Sequence, residues 1–176
     1  MADIPVLETP RLRLRAHALK DFPGCAAMWA DPAVTRHIGG QPSTEPQTWA
    51  RMTSYRGHWE LMGFGYWALE EKETGLYVGE LGFADFKRDL EPSIKGIPEA
   101  GWALVSSRHG RGYATEALRA IVSWADRHLA AARTVCIIGP AHSASIRVAD
   151  KCGYRRLQDA RYRGEPTILF GRDREK

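Results

Sequence analysis

A single α/β domain, of the kind that includes α+β folds, is what this sequence predicts, and three observations carry the prediction. The chain has 176 residues, enough for one well-filled core and most simply one domain over 1–176. Segments that alternate every two residues and segments with apolar residues three or four apart follow in the order β-α-α-β-β-β-α-β-α-β-β. No repeat, linker or shift in composition divides them.

Arg11-Leu12-Arg13-Leu14-Arg15 alternates strictly and reads as a strand with one wet face. Leu19 to Trp29 carries apolar residues at helical spacing, and Asp31-Pro32 stops that helix. After a loop with Gly39, Gly40 and Pro42, Ser43-Thr44-Glu45 starts a second helix to about Leu61, ended by Gly63 and Gly65. Three strands follow, at Tyr66–Leu69, Leu76–Phe86 and Glu99–Val105. The second places Leu81 and Phe83 on one face and Glu80 on the other. A polar loop from Lys87 to Pro98 separates it from the third.

Tyr113 to Leu129 is the strongest helix, with Ala114, Ala117, Leu118, Ile121, Ala125 and Leu129 along one face. Glu116 in its first turn and Arg127 and His128 in its last complement the helix dipole. Thr134–Ile138 is a short buried strand. Ser143–Cys152 is a helix capped by Gly153, and Tyr154–Asp159 and Thr167–Gly171 are the last strands.

Composition excludes several classes. With 44% hydrophobic and 26% charged residues the chain reads as a soluble globular protein. No apolar run spans a bilayer, so no membrane partner is expected. The segment Met1-Ala2-Asp3-Ile4-Pro5 is no secretory signal. Cys25, Cys136 and Cys152 are odd in number and form no CxxC pair, so neither a disulfide framework nor a zinc site is expected. The six histidines form no HExxH pair, so no metal is expected, and a cytoplasmic location with reduced thiols is the default. A net charge of +4 suits a ligand with several phosphates.

The most informative stretch is Arg108-His109-Gly110-Arg111-Gly112-Tyr113-Ala114-Thr115, where a strand turns into the strongest helix. Free amides at a helix start bind anions, and the dipole reinforces them. Glycines allow unusual dihedrals and close approach of phosphate, while Arg108 and Arg111 add positive charge. Thr115 stands where a dinucleotide fingerprint needs its third glycine, and the Walker pattern GxxxxGK[ST] is missing.

His109-Gly110-Arg111-Gly112-Tyr113-Ala114 resembles the pyrophosphate motif [Q/R]xxGx[G/A] of the GNAT superfamily of acyl-CoA N-acyltransferases. Gly110 to Ala117 looks like the branch that acetylates ribosomal-protein N-termini. The stretches Leu7–Arg15, Val78–Phe83 and Ser145–Tyr154 are similar to that branch's first strand, third strand and late helix. Two positions depart from the pattern: His109 replaces the usual Gln or Arg, and His142 replaces an Asn three residues before Ser145.

The resemblance implies a mixed, mostly antiparallel sheet with helices on both faces, splayed between its fourth and fifth strands. It implies acetyl-CoA as donor, held by Ala103, Leu104, Val105, by His109, Gly110, Arg111, Gly112, Tyr113, Ala114 and Thr115, and by His142 and Ser145. Backbone groups of Ala103 to Val105 would meet the pantetheine, and an amide freed by the splay would bind the oxyanion. Asp31 to Gly40, with Thr35, Arg36 and His37, corresponds to the wall of the acceptor pocket.

Amine attack on a thioester needs a neutral amine, a stabilised oxyanion and a protonated thiol, and alignment supplies much of the rate. Glu99, near the acceptor amine in relatives, and Glu80, with Gly79 and Gly82 leaving room for another chain, are the candidate general bases. A partly buried Glu would have a raised pKa. An α-amine with a pKa near 8 could also react without a base. The tyrosine acid of many relatives is missing, since Ala149 stands there, which leaves Ser145 as candidate acid. Trp29, Trp49, Trp59, Tyr66, Trp67 and Trp102 are expected mostly in the core. The acceptor is a primary amine, on a protein N-terminus or a small molecule. A non-catalytic acyl-CoA-binding module is the alternative. The dispersed arginines Arg11, Arg13, Arg15, Arg155, Arg156, Arg161 and Arg163 match no nucleic-acid motif, and a monomer or homodimer is expected.

Overall fold

The computed structural model describes residues 3–175. Met1 and Ala2, which open the segment read above as no secretory signal, lie outside the described residues, as does Lys176. The strict alternation at the N-terminus becomes a hairpin. β1 (Leu7–Glu8) folds back on β2 (Leu12–Arg15), pairing Leu7 with Leu14. Leu12 and Leu14 are fully buried. Arg13 and Arg15 lie on the opposite face and are ion-paired to Glu8, Glu70 and Asp21.

A 3-10 turn (Leu19–Asp21) leads into α1 (Phe22–Ala30), so the expected first helix starts as 3-10 and becomes α-helical at Phe22, with Pro23 in its first turn. Asp31-Pro32 ends α1 but also begins α2 (Pro32–Thr35), because the Asp31 carboxylate accepts from the Ala33 amide at 2.8 Å. α3 (Glu45–Met62) opens with a capping box between Thr44 and Gln47 and ends at Gly63 in the left-handed region.

β3 (Tyr66–Glu71), β4 (Tyr77–Ala84) and β6 (Glu99–Leu104) form an antiparallel meander. β5 (Leu90–Glu91) lies inside the stretch expected to be loop; it pairs with β8 (Arg155–Tyr162), and its Leu90 is buried together with the nearby Ile94. After a second 3-10 turn (Ser106–Arg108) come α4 (Tyr113–His128), β7 (Arg133–Ile138), α5 (Ser143–Lys151), β8 (Arg155–Tyr162) and β9 (Glu165–Asp173). The last two strands are longer than their apolar cores suggested.

The strands form one sheet in the order β1-β2-β3-β4-β6-β7-β9-β8-β5. Among the described residues one pairing, β6 with β7, is parallel, and it holds at the Glu99–Val135 register alone. The two strands part beyond that point, which is the splay expected between the fourth and fifth predicted strands. Leu12, Leu14, Trp67, Leu69, Leu81 and Phe83 pack with Ala117, Leu118 and Ile121 of α4. α1 and α3 cover the Glu80 face through Trp29 and Tyr55, so helices lie on both faces. Trp59, Trp67 and Trp124 meet edge to face at 4.7–5.6 Å. Of the early aromatics, Trp49 is exposed and Trp102 is half-buried. No helix among the described residues is long and apolar enough to cross a membrane.

Candidate active site

The splay opens a cleft of about 530 Å³, within the size range of small-molecule sites. Its floor is the end of β6, with Trp102, Ala103 and Leu104. One wall is the start of α4, the other the start of α5, and α2 with the segment through Ile38 closes the near side.

The glycine loop takes its shape from two left-handed residues, Gly110 at φ 74° and Gly112 at φ 80°. Side chains rarely adopt this conformation, so glycine is needed here for its backbone rather than for space. Gly112 is the N-cap of α4 and offers no side chain to its first turn. The amides of Tyr113, Ala114 and Thr115 therefore start α4 without a side-chain cap, beside the cleft, with the positive end of the dipole behind them. Ala114 and Thr115 also line the cleft.

The charges near the loop differ from expectation. Arg108 pairs with Glu71 at 2.8 Å, and Tyr113 donates to the same carboxylate at 2.6 Å. These donors hold Glu71 at about 2, so Arg108 arrives already neutralised. Arg111 is exposed and does not line the cleft; its carbonyl accepts from Arg11 at 2.9 Å. Val105 also stays out of the cleft wall, its amide bonded to Val78. His109 lines the cleft, but its Nε2 donates to the Leu104 carbonyl at 2.9 Å. That bond ties the loop to the end of β6 and occupies an acceptor expected to face the pantetheine.

Sequence reading missed the positive charge on α5. Arg147 and Lys151 line the cleft four residues apart, one helical turn. The spacing Ser143, Arg147, Lys151 was the available signal. Arg36 and His37 line the near side. The His37 ring stacks on His142, centroids 4.4 Å apart and planes 15° apart. Ser145 Oγ lies 2.8 Å from His142 Nε2. Burial first, then the positive potential of His37, His109 and Arg36, pushes His142 down to about 4.

Neither candidate carboxylate lines the cleft. Glu80 is fully buried beneath α1 and α3. Tyr55 and Tyr77 donate to it at 2.6 and 2.8 Å, Trp29 at 3.0 Å and Cys25 at 3.4 Å, with His17 Nε2 also 3.4 Å away. Burial acts upward on its pKa, yet the nearby His17 ring together with the Tyr55 and Tyr77 hydroxyls outweighs it and holds the carboxyl at about 2. The expected raised pKa is therefore reversed. The room that Gly79 and Gly82 leave is filled from within. A Cβ on Gly79 would meet the Ala103 carbonyl, and one on Gly82 would meet the backbone of Gly65 and Tyr66.

Glu99 sits where β6 and β7 are still paired, with Arg88 on its carboxylate at 2.8 Å. Burial raises its pKa, as expected of a buried Glu, while Arg88 opposes the shift. Arg88 in turn donates to Tyr162 at 3.0 Å, so Glu99 anchors the loop before β6 to β8. Glu99→Gln is expected to cost about 1–2 kcal/mol of stability and to change kcat less than threefold. Denaturant unfolding and initial rates on one preparation check this. A hundredfold loss of kcat at unchanged stability would return Glu99 to the reaction.

Among the described residues no group of three or more His, Cys, Asp or Glu side chains is arranged to hold a metal ion. The three cysteines are free and buried, and none lines the cleft.

The Acetyltransferase (GNAT) domain model matches residues 11–155. Among solved structures, a Bordetella pertussis protein assigned to the GnaT acetyltransferase family is 32% identical, with 96% of this chain and 99% of that one covered at a TM-score of 0.82. An uncharacterized N-acetyltransferase, p20 of Bacillus licheniformis, is 25% identical over 85% of this chain and 82% of its own length. RimL, a ribosomal L7/L12 alpha-N-protein acetyltransferase solved in complex with coenzyme A, shares the fold at a TM-score of 0.76 and 15% identity, over 96% and 98% of the two chains.

Proposed function

The chain belongs to the GNAT acetyltransferase family, N-acetyltransferases that use acetyl-CoA, and from that premise we propose that it acetylates a primary amine by direct attack within a ternary complex. The observation that carries this reading is the uncapped start of α4 opening on the splay between β6 and β7. The pyrophosphate lies on the amides of Gly112 to Thr115, with Gly110 setting the turn. Arg147 and Lys151 face the phosphates from α5. The pantetheine runs along Ala103 and Leu104 toward Ser145, whose hydroxyl protonates the departing thiolate. A β6 amide left without a β7 partner binds the oxyanion.

The lining also bears on the acceptor. With Arg147 and Lys151 turned to the phosphates, Arg36 leaves positive charge on the near side, and among the described residues no Asp or Glu lines the cleft to offset it. A polycationic acceptor would meet repulsion. A single amine on a neutral or acidic molecule fits, and a protein N-terminal α-amine is the reading we favour. The buried thiols suit a cytoplasmic setting.

Thiol release from acetyl-CoA, measured against neutral peptides with free α-amines, simple monoamines and an aminoglycoside, tests this. The peptides or monoamines are expected to exceed the aminoglycoside in kcat/KM by at least about tenfold, the discrimination that one unfavourable charge contact supplies. Preference for the polycation would overturn the acceptor reading. Tight coenzyme A binding without thiol release for any amine would leave a binding module.

A further inference from the structure

His142 is half-buried at the N-cap position of α5, but its side chain makes no capping hydrogen bond to the helix. Its Nε2 meets Ser145 Oγ at 2.8 Å inside the cleft. Its Nδ1 has no protein partner among the described residues and is not sealed from solvent. The stacked His37 ring covers the imidazole face, so both ring nitrogens lie at the edge, Nε2 on Ser145 and Nδ1 open. One side chain thus offers a nitrogen on each side, one joined to the proposed acid and one open.

We propose that His142 and Ser145 form a proton relay that carries the amine's proton to the departing thiolate. The proposal rests on the acetyl-transfer reading above. The amine nitrogen bonds to the thioester carbonyl carbon and the C–S bond breaks. The amine's proton passes to His142 Nδ1, Nε2 gives its proton to Ser145 Oγ, and the Ser145 hydroxyl proton passes to sulfur. The products are an amide and a free thiol. Both residues keep their proton count, His142 ends in its other tautomer, and exchange with water restores the first.

The surroundings favour passing a proton over storing one. Cationic or titratable groups face the ring from each neighbouring element: Arg36 and His37 after α2, and His109 from the glycine loop. Among the described residues no carboxylate lines the cleft to stabilise an imidazolium. His142 is neutral at pH 7 and gains at one nitrogen as it loses at the other, so it never carries the full charge.

His142→Asn is the discriminating variant. Asn keeps an N–H beside Ser145 but cannot transfer a proton. With acetyl-CoA and a neutral tetrapeptide carrying a free α-amine, kcat is expected to fall about 100-fold, with KM for acetyl-CoA changed less than threefold. Ser145→Ala should fall similarly, and the double variant little further, because the two act as one unit. Full kcat in His142→Asn would overturn the relay. A second readout needs no acceptor: ¹⁵N spectra of the full chain bound to coenzyme A. They are expected to show neutral His142 with its proton on Nε2 at pH 7. A proton on Nδ1, or an imidazolium at that pH, would overturn the relay. Failure to bind coenzyme A would instead overturn the acetyl-transfer reading itself.

Discussion

Glu80→Ala is expected to lower the free energy of unfolding by about 3–5 kcal/mol, the largest effect of any single substitution considered. The carboxylate is fully buried and gathers donors from β4, α1 and α3. Its removal leaves the hydroxyls of Tyr55 and Tyr77 and the Trp29 indole without their acceptor inside the core. It also leaves a cavity beneath both helices. Denaturant unfolding followed by far-UV circular dichroism measures the loss. A catalytic base at this position would instead give a stable variant with depressed kcat.

The same group predicts an acid limb. A folded pKa of about 2 against an unfolded value of 4.5 means the native state holds the carboxylate more tightly than the unfolded chain does. The stability is fully present above pH 4.5 and is lost as pH falls toward 2. The linked contribution is about 3 kcal/mol. Glu80→Gln should flatten that limb, and an unchanged acid transition would contradict the assignment.

Gly112→Val is expected to weaken coenzyme A binding by about 100-fold, the loss of one or two charge-assisted contacts at about 1.5–3 kcal/mol each. At φ 80° a β-branched residue is strained by roughly 1–2 kcal/mol. The chain relieves this by rotating the turn, and the amides of Tyr113 to Thr115 lose their common aim. Space is not the cause, since the nearest atom to an added Cβ is the end of Arg11 at 3.5 Å. Calorimetric titration well below the melting temperature separates lost affinity from lost fold. Unchanged affinity would move the phosphates elsewhere.

What the sequence disclosed follows from the range of the interactions. The Leu12/Leu14 alternation, the apolar stripe of α4 and the Gly110/Gly112 turn are local patterns, and each is formed where expected. β5 is two residues long, too short for alternation to register. The partners of the charged groups are long-range. Glu71 and Arg108 are 37 residues apart, and Cys25 and Glu80 are 55 apart. Residue type suggested a free cation at Arg108 and a base at Glu80; only the folded chain shows both occupied. Arg11, Arg13 and Arg15, dispersed cations in the sequence, are likewise ion-paired to Glu116 and Glu70. In the cleft, the helical period could have found Arg147 and Lys151. The His37–His142 stack depends on the path of the chain after α2, which no periodicity encodes.

The central claim is that this cleft passes an acetyl group from acetyl-CoA to an amine. Mass spectrometry of a free-amine peptide panel, incubated with the protein and acetyl-CoA labelled in the acetyl carbonyl, tests it most directly. The account predicts the labelled acetyl group on the peptide α-amine, at a rate that falls with Gly112→Val and with His142→Asn. Labelled donor left intact beside every peptide, on protein that binds coenzyme A, would contradict it.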